Sequence, residues 1–142
     1  MEIRPLVLDD VPTVVPLLSQ LGYPTDVASL TSRIRMLEDD PHVEIWVAAD
    51  ESREVLGLLS AHLGHHIELD GPVARLTALV TGEKARGRGI GQLLIDQFED
   101  WARSCGSVKA VLTSGNHRSE THEIYRHLGW EADGVRFTKK LP

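Results

Sequence analysis

Three stretches of the sequence carry residues whose types and spacing could do chemistry. Leu79 to Gln92 reads L-V-T-G-E-K-A-R-G-R-G-I-G-Q. It follows an apolar run of strand character and opens into an amphipathic helix, so its main-chain N–H groups converge on the positive end of a helix dipole. Such a turn holds an anion, most often a phosphate. Asn116 to Trp130 reads N-H-R-S-E-T-H-E-I-Y-R-H-L-G-W and sets a phenol, Tyr125, on the apolar face of a short helix. A phenol with its ordinary pKa of about 10 is protonated at pH 7 and can act as a general acid, although a tyrosine in that place can equally be a packing residue. The third stretch, His62, His65 and His66, has the residue type of a metal site.

Spacing narrows all three. A nucleoside-triphosphate loop needs G-x-x-x-x-G-K followed by Ser or Thr, and the chain has no Lys-Ser or Lys-Thr pair. The dinucleotide fingerprint G-x-G-x-x-G is met by Gly87 and Gly89 but fails at its third glycine, where Gln92 stands. What remains is R-x-x-G-x-G, made of Arg86, Gly89 and Gly91. The histidines fall in and beside a strand end with diverging faces, and no thiol or carboxylate is spaced to complete a site, so no metal is expected. They read as turn residues or, with Glu68, as candidates for a general base. Cys105 lies at helical spacing behind Phe98 and Trp101 and reads as a packing thiol; as the single cysteine it excludes internal disulfides and cysteine-clustered zinc.

The elements that must position these residues are set by hydrophobic period. Glu2 to Leu8 has the content of a short strand, which Pro5 confines to an edge or an early ladder position. Asp9 or Asp10 offers a cap for a helix ending at Gly22, which Pro16 should shorten or distort. A second helix is expected from Thr25 or Asp26 to about Leu37. From Val43 the period changes to two: Val43, Ile45 and Val47, then a turn at Asp50-Glu51-Ser52-Arg53, then Val55 to Leu63, predict a hairpin. Val73 to Val80 is the strand that delivers the chain to the glycine loop. Leu93, Leu94, Phe98, Trp101, Ala102 and Cys105 predict a helix stopped by Gly106, and Val108 to Thr113 a strand after it. Strand, helix, strand implies a right-handed crossover and parallel pairing. A helix through Ile124, Tyr125 and Leu128, capped by Asn116 or Ser119 and ended by Gly129, and a closing strand over Phe137 to Leu141 complete the reading.

Composition bounds the function. The chain has 142 residues, 42% hydrophobic and 25% charged, ordinary for one soluble globular domain spanning 1–142. No apolar run approaches the roughly 20 residues of a membrane span, and M-E-I-R-P has no signal-peptide character, so a cytoplasmic protein with no membrane partner is expected. A net charge of −6 argues against nucleic acid as a partner. The charge is uneven: residues 1–70 carry 13 acids and 4 bases, and residues 71–142 carry 8 acids and 11 bases. That asymmetry suits a basic substrate meeting a polyanionic donor, or else records only solvated faces.

The loop motif resembles the acetyl-CoA pyrophosphate loop of the GNAT family of N-acetyltransferases. There a Gln or Arg is followed three residues later by Gly-x-Gly or Gly-x-Ala, after a strand and before a helix. The segment Thr121, His122, Glu123, Ile124, Tyr125, with Gly129 and Trp130, is similar to that family's later signature; Thr121 stands for a commoner Ala and Ile124 for a commoner Phe. The resemblance spans roughly Arg75 to Phe137 and implies a mixed α/β fold: a central, mostly antiparallel sheet of six to seven strands flanked by about four helices. It implies acetyl-CoA as cosubstrate and no metal. Main-chain groups at Leu79 and Val80 would hold the thioester carbonyl. Arg86, Gly87, Arg88, Gly89, Ile90, Gly91 and Gln92 would hold the pyrophosphate. Asn116 would hold the pantetheine arm or cap a helix, and Tyr125 would protonate the departing thiolate. The first two helices become the acceptor side. A homodimer is likewise implied.

The reaction expected is direct transfer of acetyl to a primary amine of a small molecule or peptide. A lysine-like amine must fall about 3.4 pKa units to be neutral at pH 7, near 4.6 kcal/mol, so a base or water relay is needed. Glu44, Glu68, His65 and Glu83 are the candidates. A second reading keeps the loop without turnover: an acyl-CoA-binding sensor or regulatory module of the same fold, which would not need Tyr125.

Overall fold

Runs of period two become strands and runs of period 3.6 become helices in the structure, a computed structural model that describes residues 1–114 and 119–142. The chain forms two compact units, Met1–Val111 and Leu112–Pro142. In the first, β1 (Glu2–Pro5) is followed by a 3-10 turn at Leu8–Asp10, α1 (Val11–Leu21) and α2 (Val27–Glu38). Then come β2 (Val43–Ala49), β3 (Val55–Gly64), β4 (Val73–Thr81), a 3-10 turn at Glu83–Ala85 and α3 (Ile90–Ser104). β5 (Lys109–Leu112) runs to the boundary between the units, and α4 (Ser119–His127) is the helix of the second. The sheet order is β1-β2-β3-β4-β5, with β1 through β4 antiparallel. The Val108 N–H donates to the Pro72 carbonyl at 2.9 Å, so β5 starts where β4 starts and the two run the same way, as the crossover rule expects.

The two sheet faces are covered differently. Val47, Val55, Leu58 and Val80 pack against Val11, Val14 and Leu17 of α1 and Leu30 and Ile34 of α2. α3 covers the opposite face with Ile90, Leu94, Ile95, Phe98 and Ala102, all buried. The rings of Trp46 on β2 and Trp101 on α3 meet edge to face at 5.5 Å. Gly57 of β3 makes the close approach possible: a Cβ there would stand 2.8 Å from Ile90 Cγ2 and 3.3 Å from Leu94 Cδ1.

Three expectations are corrected. The mixed α/β class with four α-helices holds, but the sheet has five strands among the described residues where six to seven were expected. The closing strand over Phe137 to Leu141 does not form: residues 130–142 have no regular structure, and Val135, Phe137 and Leu141 are exposed. A short stretch with few apolar residues becomes a strand only where a neighbouring ladder accepts it. Pro16 does not shorten α1, which runs 11 residues through it. Pro12 and Pro16, four apart, are both exposed, so the missing hydrogen bond falls on the wet side of the helix.

Asp10 also departs from its expected role. Its carboxylate makes no capping bond to α1. It takes both guanidinium nitrogens of Arg4 at 2.8 Å and the Val7 N–H at 2.9 Å, fastening β1 to the helix start. Burial would raise the Asp10 pKa, but the Arg4 hydrogen bond, the Val7 N–H and the Arg4 charge together hold it below the usual carboxylate range.

Candidate active site

The site is built where β4 gives way to α3. Gly57 pairs with Thr81 and Leu59 with Leu79, and the Gly82 N–H donates to the Leu56 carbonyl at 2.8 Å. Antiparallel ladders alternate, so residues 80 and 82 spend their main-chain groups on β3, while 79 and 81 turn theirs to the other edge. The register also slips between Ser60 and Ala61, leaving Thr77 as an extra residue in β4. A bulge of this kind bends a strand and re-aims the residues beyond it. β5 is four residues long and starts beside the start of the nine-residue β4, so the second half of β4 runs on past its end. Leu79 therefore presents its main-chain N–H on an edge that β5 does not reach.

After Thr81 the chain passes Gly82 and the Glu83–Ala85 turn, in which Ala85 is buried, to Arg86 in extended backbone. Gly87 (φ 80°) and Gly89 (φ 75°) then take left-handed conformations that other residues adopt only under strain. A Cβ on either would meet nothing within 4 Å, so conformation, not crowding, selects glycine and the loop's outer side is open. The first helical bond of α3 runs from the Leu93 N–H to the Gly89 carbonyl at 3.1 Å. The N–H groups of Gly89, Ile90, Gly91 and Gln92 precede it and have no place in the helix ladder. No acidic residue lies in the first turn, and Ile90, 1% exposed, anchors the turn in the core. The result is a row of donors outside the helix ladder at the positive end of a 15-residue helix, with Gly89 and Gln92 exposed, Gly91 half-buried and Ile90 buried.

Charge near the loop is mixed. Arg86 and Arg88 are exposed. Asp50, in the β2–β3 turn, is held below the usual carboxylate range by the Ser52 hydroxyl; burial opposes this, and the Glu54 and Ser52 N–H groups and the Arg88 charge reinforce it. The hairpin turn thus lies within electrostatic reach of Arg88.

The comparisons with known proteins agree with this geometry. The family model described as "Acetyltransferase (GNAT) family" matches residues 16–130, a span that includes both the loop and α4. The chain belongs to the GNAT acetyltransferase family. An aminoalkylphosphonate N-acetyltransferase of Salmonella typhimurium is 30% identical over 102 residues, 72% of this chain and 66% of that protein, just under two thirds of its length. An uncharacterized N-acetyltransferase of Bacillus subtilis is 26% identical over 132 residues, covering 89% of this chain and 88% of the other. In fold, a transcriptional regulator from Bacillus halodurans superposes with a TM-score of 0.91 at 21% identity over 99% of both chains.

Within this GNAT chain, the structure brings Leu79, Val80 and Arg86 through Gln92 together in the first unit, and separates the roles of two of them. Leu79 turns its main-chain groups away from β3, whereas those of Val80 face it. Tyr125 lies in the second unit on α4, half-buried, with its ring 6.4 Å from that of Trp130. Gly129, at φ 91°, ends α4: its N–H donates to the Arg126 carbonyl at 3.0 Å and that of Trp130 to the Tyr125 carbonyl at 2.9 Å. Asn116 lies outside the described residues. Of the candidate bases, His65 and Glu68 sit in the exposed loop before β4, at the end of that strand away from the glycine loop. Glu44 pairs with Ala61, also toward that far end. Glu83 alone of the four stands beside the glycine loop.

One contact at the site has no sequence signature. Gln20 of α1 donates from Nε2 to the Thr81 carbonyl at 2.8 Å and accepts from the Glu83 N–H at Oε1, 3.1 Å away. Its partners are 61 and 63 residues distant in the chain. Only the folded arrangement of α1 against β4 reveals it.

Proposed function

We propose that the chain is a single-domain, acetyl-CoA-dependent N-acetyltransferase that moves an acetyl group directly to a primary amine of a small molecule or peptide. The observation that carries the proposal is the uncapped start of α3 behind two left-handed glycines, set just after a strand whose last residues extend past the end of β5. In this reading the N–H groups of Arg86 to Gln92 hold the pyrophosphate, and glycine lets it approach the backbone. The Leu79 N–H, on the open edge of β4, donates to the thioester carbonyl and stabilises the charge that develops there, while Val80 helps fix the strand. Tyr125 gives its proton to the departing thiolate, and Asn116 holds the pantetheine arm or caps α4. Glu83 is the base candidate retained, acting directly or through water. The transfer uses no metal. A cytoplasmic homodimer, with neither nucleic acid nor membrane as partner, is part of the same proposal.

The relative named for aminoalkylphosphonates makes small amines with a phosphonate group the first acceptors to try. The test is acetyl-CoA-dependent release of free thiol across aminoalkylphosphonates, aminoglycosides, polyamines, amino acids and lysine peptides. Release that depends on one class is expected and names the acceptor. Tight CoA binding with no release from any amine would favour the sensor reading.

A further inference from the structure

Resting on that reading, we infer that Gln20 is a positioning residue: from the acceptor-side helix it substitutes for a strand partner at the end of β4 and fixes the departure of the pyrophosphate loop. The Thr81 carbonyl and the Glu83 N–H are the two groups that one residue of a parallel neighbour would engage opposite Gly82. β5 is too short to reach them. The Gln20 carboxamide carries one donor and one acceptor at the same spacing, and it meets both, at 2.8 and 3.1 Å. The open edge of β4 is therefore bounded, beyond Leu79, by a side chain of α1.

The surrounding packing makes this a rigid corner. Gly82, between the two clamped residues, donates to Leu56 on the β3 side, and a Cβ on it would stand 3.3 Å from both Leu17 Cδ2 and the Leu56 carbonyl oxygen. Leu17 lies one helical turn before Gln20 and is buried in the α1–β4 core. Gln20 itself is half-buried, so its amide bonds are partly shielded from competing water. A shift of α1 is transmitted to Thr81 and Glu83 and thence to the glycine loop, which gives the acceptor side of the fold a mechanical hold on the donor side.

The test replaces Gln20 by Met, which keeps the length and removes both hydrogen bonds. CoA affinity by calorimetry and the steady-state constants for acetyl-CoA are then measured. The KM for acetyl-CoA and the CoA Kd are expected to rise on the order of tenfold, the scale of two partly shielded hydrogen bonds, with kcat within about twofold. A Kd and KM within about twofold of the unaltered protein would overturn the role of Gln20 while leaving the donor reading intact. Absence of CoA binding by the unaltered protein would overturn the donor reading and this role with it. Should Gln20→Met not fold, amide exchange at Glu83 in the unaltered protein decides: slower exchange with CoA bound supports the clamp, and exchange that CoA does not change overturns it.

Discussion

The two segments that carry the family signature use the same residue in the same conformation for opposite ends. Gly89 and Gly129 both have positive φ, 75° and 91°, and a Cβ on either would meet nothing within 4 Å. At Gly89 the left-handed step begins a helix and leaves four N–H groups outside its ladder. At Gly129 it ends a helix, and the N–H groups of Gly129 and Trp130 turn back to close the carbonyls of Arg126 and Tyr125. One glycine leaves main-chain N–H groups outside a helix ladder; the other folds them back onto the last turn. A left-handed glycine is therefore no sign of a binding site by itself, and what distinguishes the two is which end of the helix it occupies.

The contrast can be broken at either segment. Tyr125→Phe removes only a hydroxyl, and its expected effect is the largest: kcat falls by about a hundredfold, the lower range for a lost general acid, with CoA affinity unchanged. Equal turnover in the variant would remove Tyr125 from the mechanism. Gly89→Asp comes next. Open space around Gly89 makes the steric cost small, but a carboxylate placed among anion-binding donors should weaken CoA binding by about thirtyfold, while the melting temperature moves by only a few degrees. Unchanged calorimetric affinity would refute the assignment of the loop.

Most of the sheet and the whole glycine loop were legible in the sequence, because both are local. The hairpin at Asp50 to Arg53, the strand feeding the loop, the stop at Gly106 and the helix over Tyr125 depend on residues within a few positions of one another. What was not legible depends on partners far away in the chain. Phe137 to Leu141 has the apolar ends of a strand but pairs with none of the described strands. The bulge at Thr77 exists only in register with Ser60 and Ala61, and it is the register that separates Leu79 from Val80. Gln20 is a single polar residue on an amphipathic helix, and nothing near it announces a partner 61 residues on. Asp10 misled for a different reason: a nearby residue, Arg4, six positions away, outcompetes the expected cap.

The Arg4–Asp10 contact also carries a pH dependence. Asp10 has its pKa depressed in the folded chain, so the stability it confers is present above the unfolded carboxylate value of about 3.9 and is lost as pH falls through the lower folded value. Asp10→Asn should cost about 2 kcal/mol at pH 7, because it leaves the Arg4 guanidinium without its anion. Between pH 5 and pH 2 the unaltered protein should lose stability faster than the variant in chemical denaturation. Parallel losses would show that the pair does not couple folding to protonation.

Gly129→Ala carries the smallest effect and tests the closing half of the contrast most directly. Alanine is strained at φ 91°, and the contacts of Trp130 and Gly129 with the last turn of α4 depend on that angle, so a loss of about 1 kcal/mol is expected. CoA affinity should stay within about twofold, since no ligand-facing donor is removed. Turnover should fall only as far as Tyr125, whose carbonyl the Trp130 N–H holds, is loosened from its place on α4. If Gly129→Ala instead weakened CoA binding as much as Gly89→Asp, the division between an opening glycine and a closing one would fail. The second segment would then have to be counted with the donor site itself.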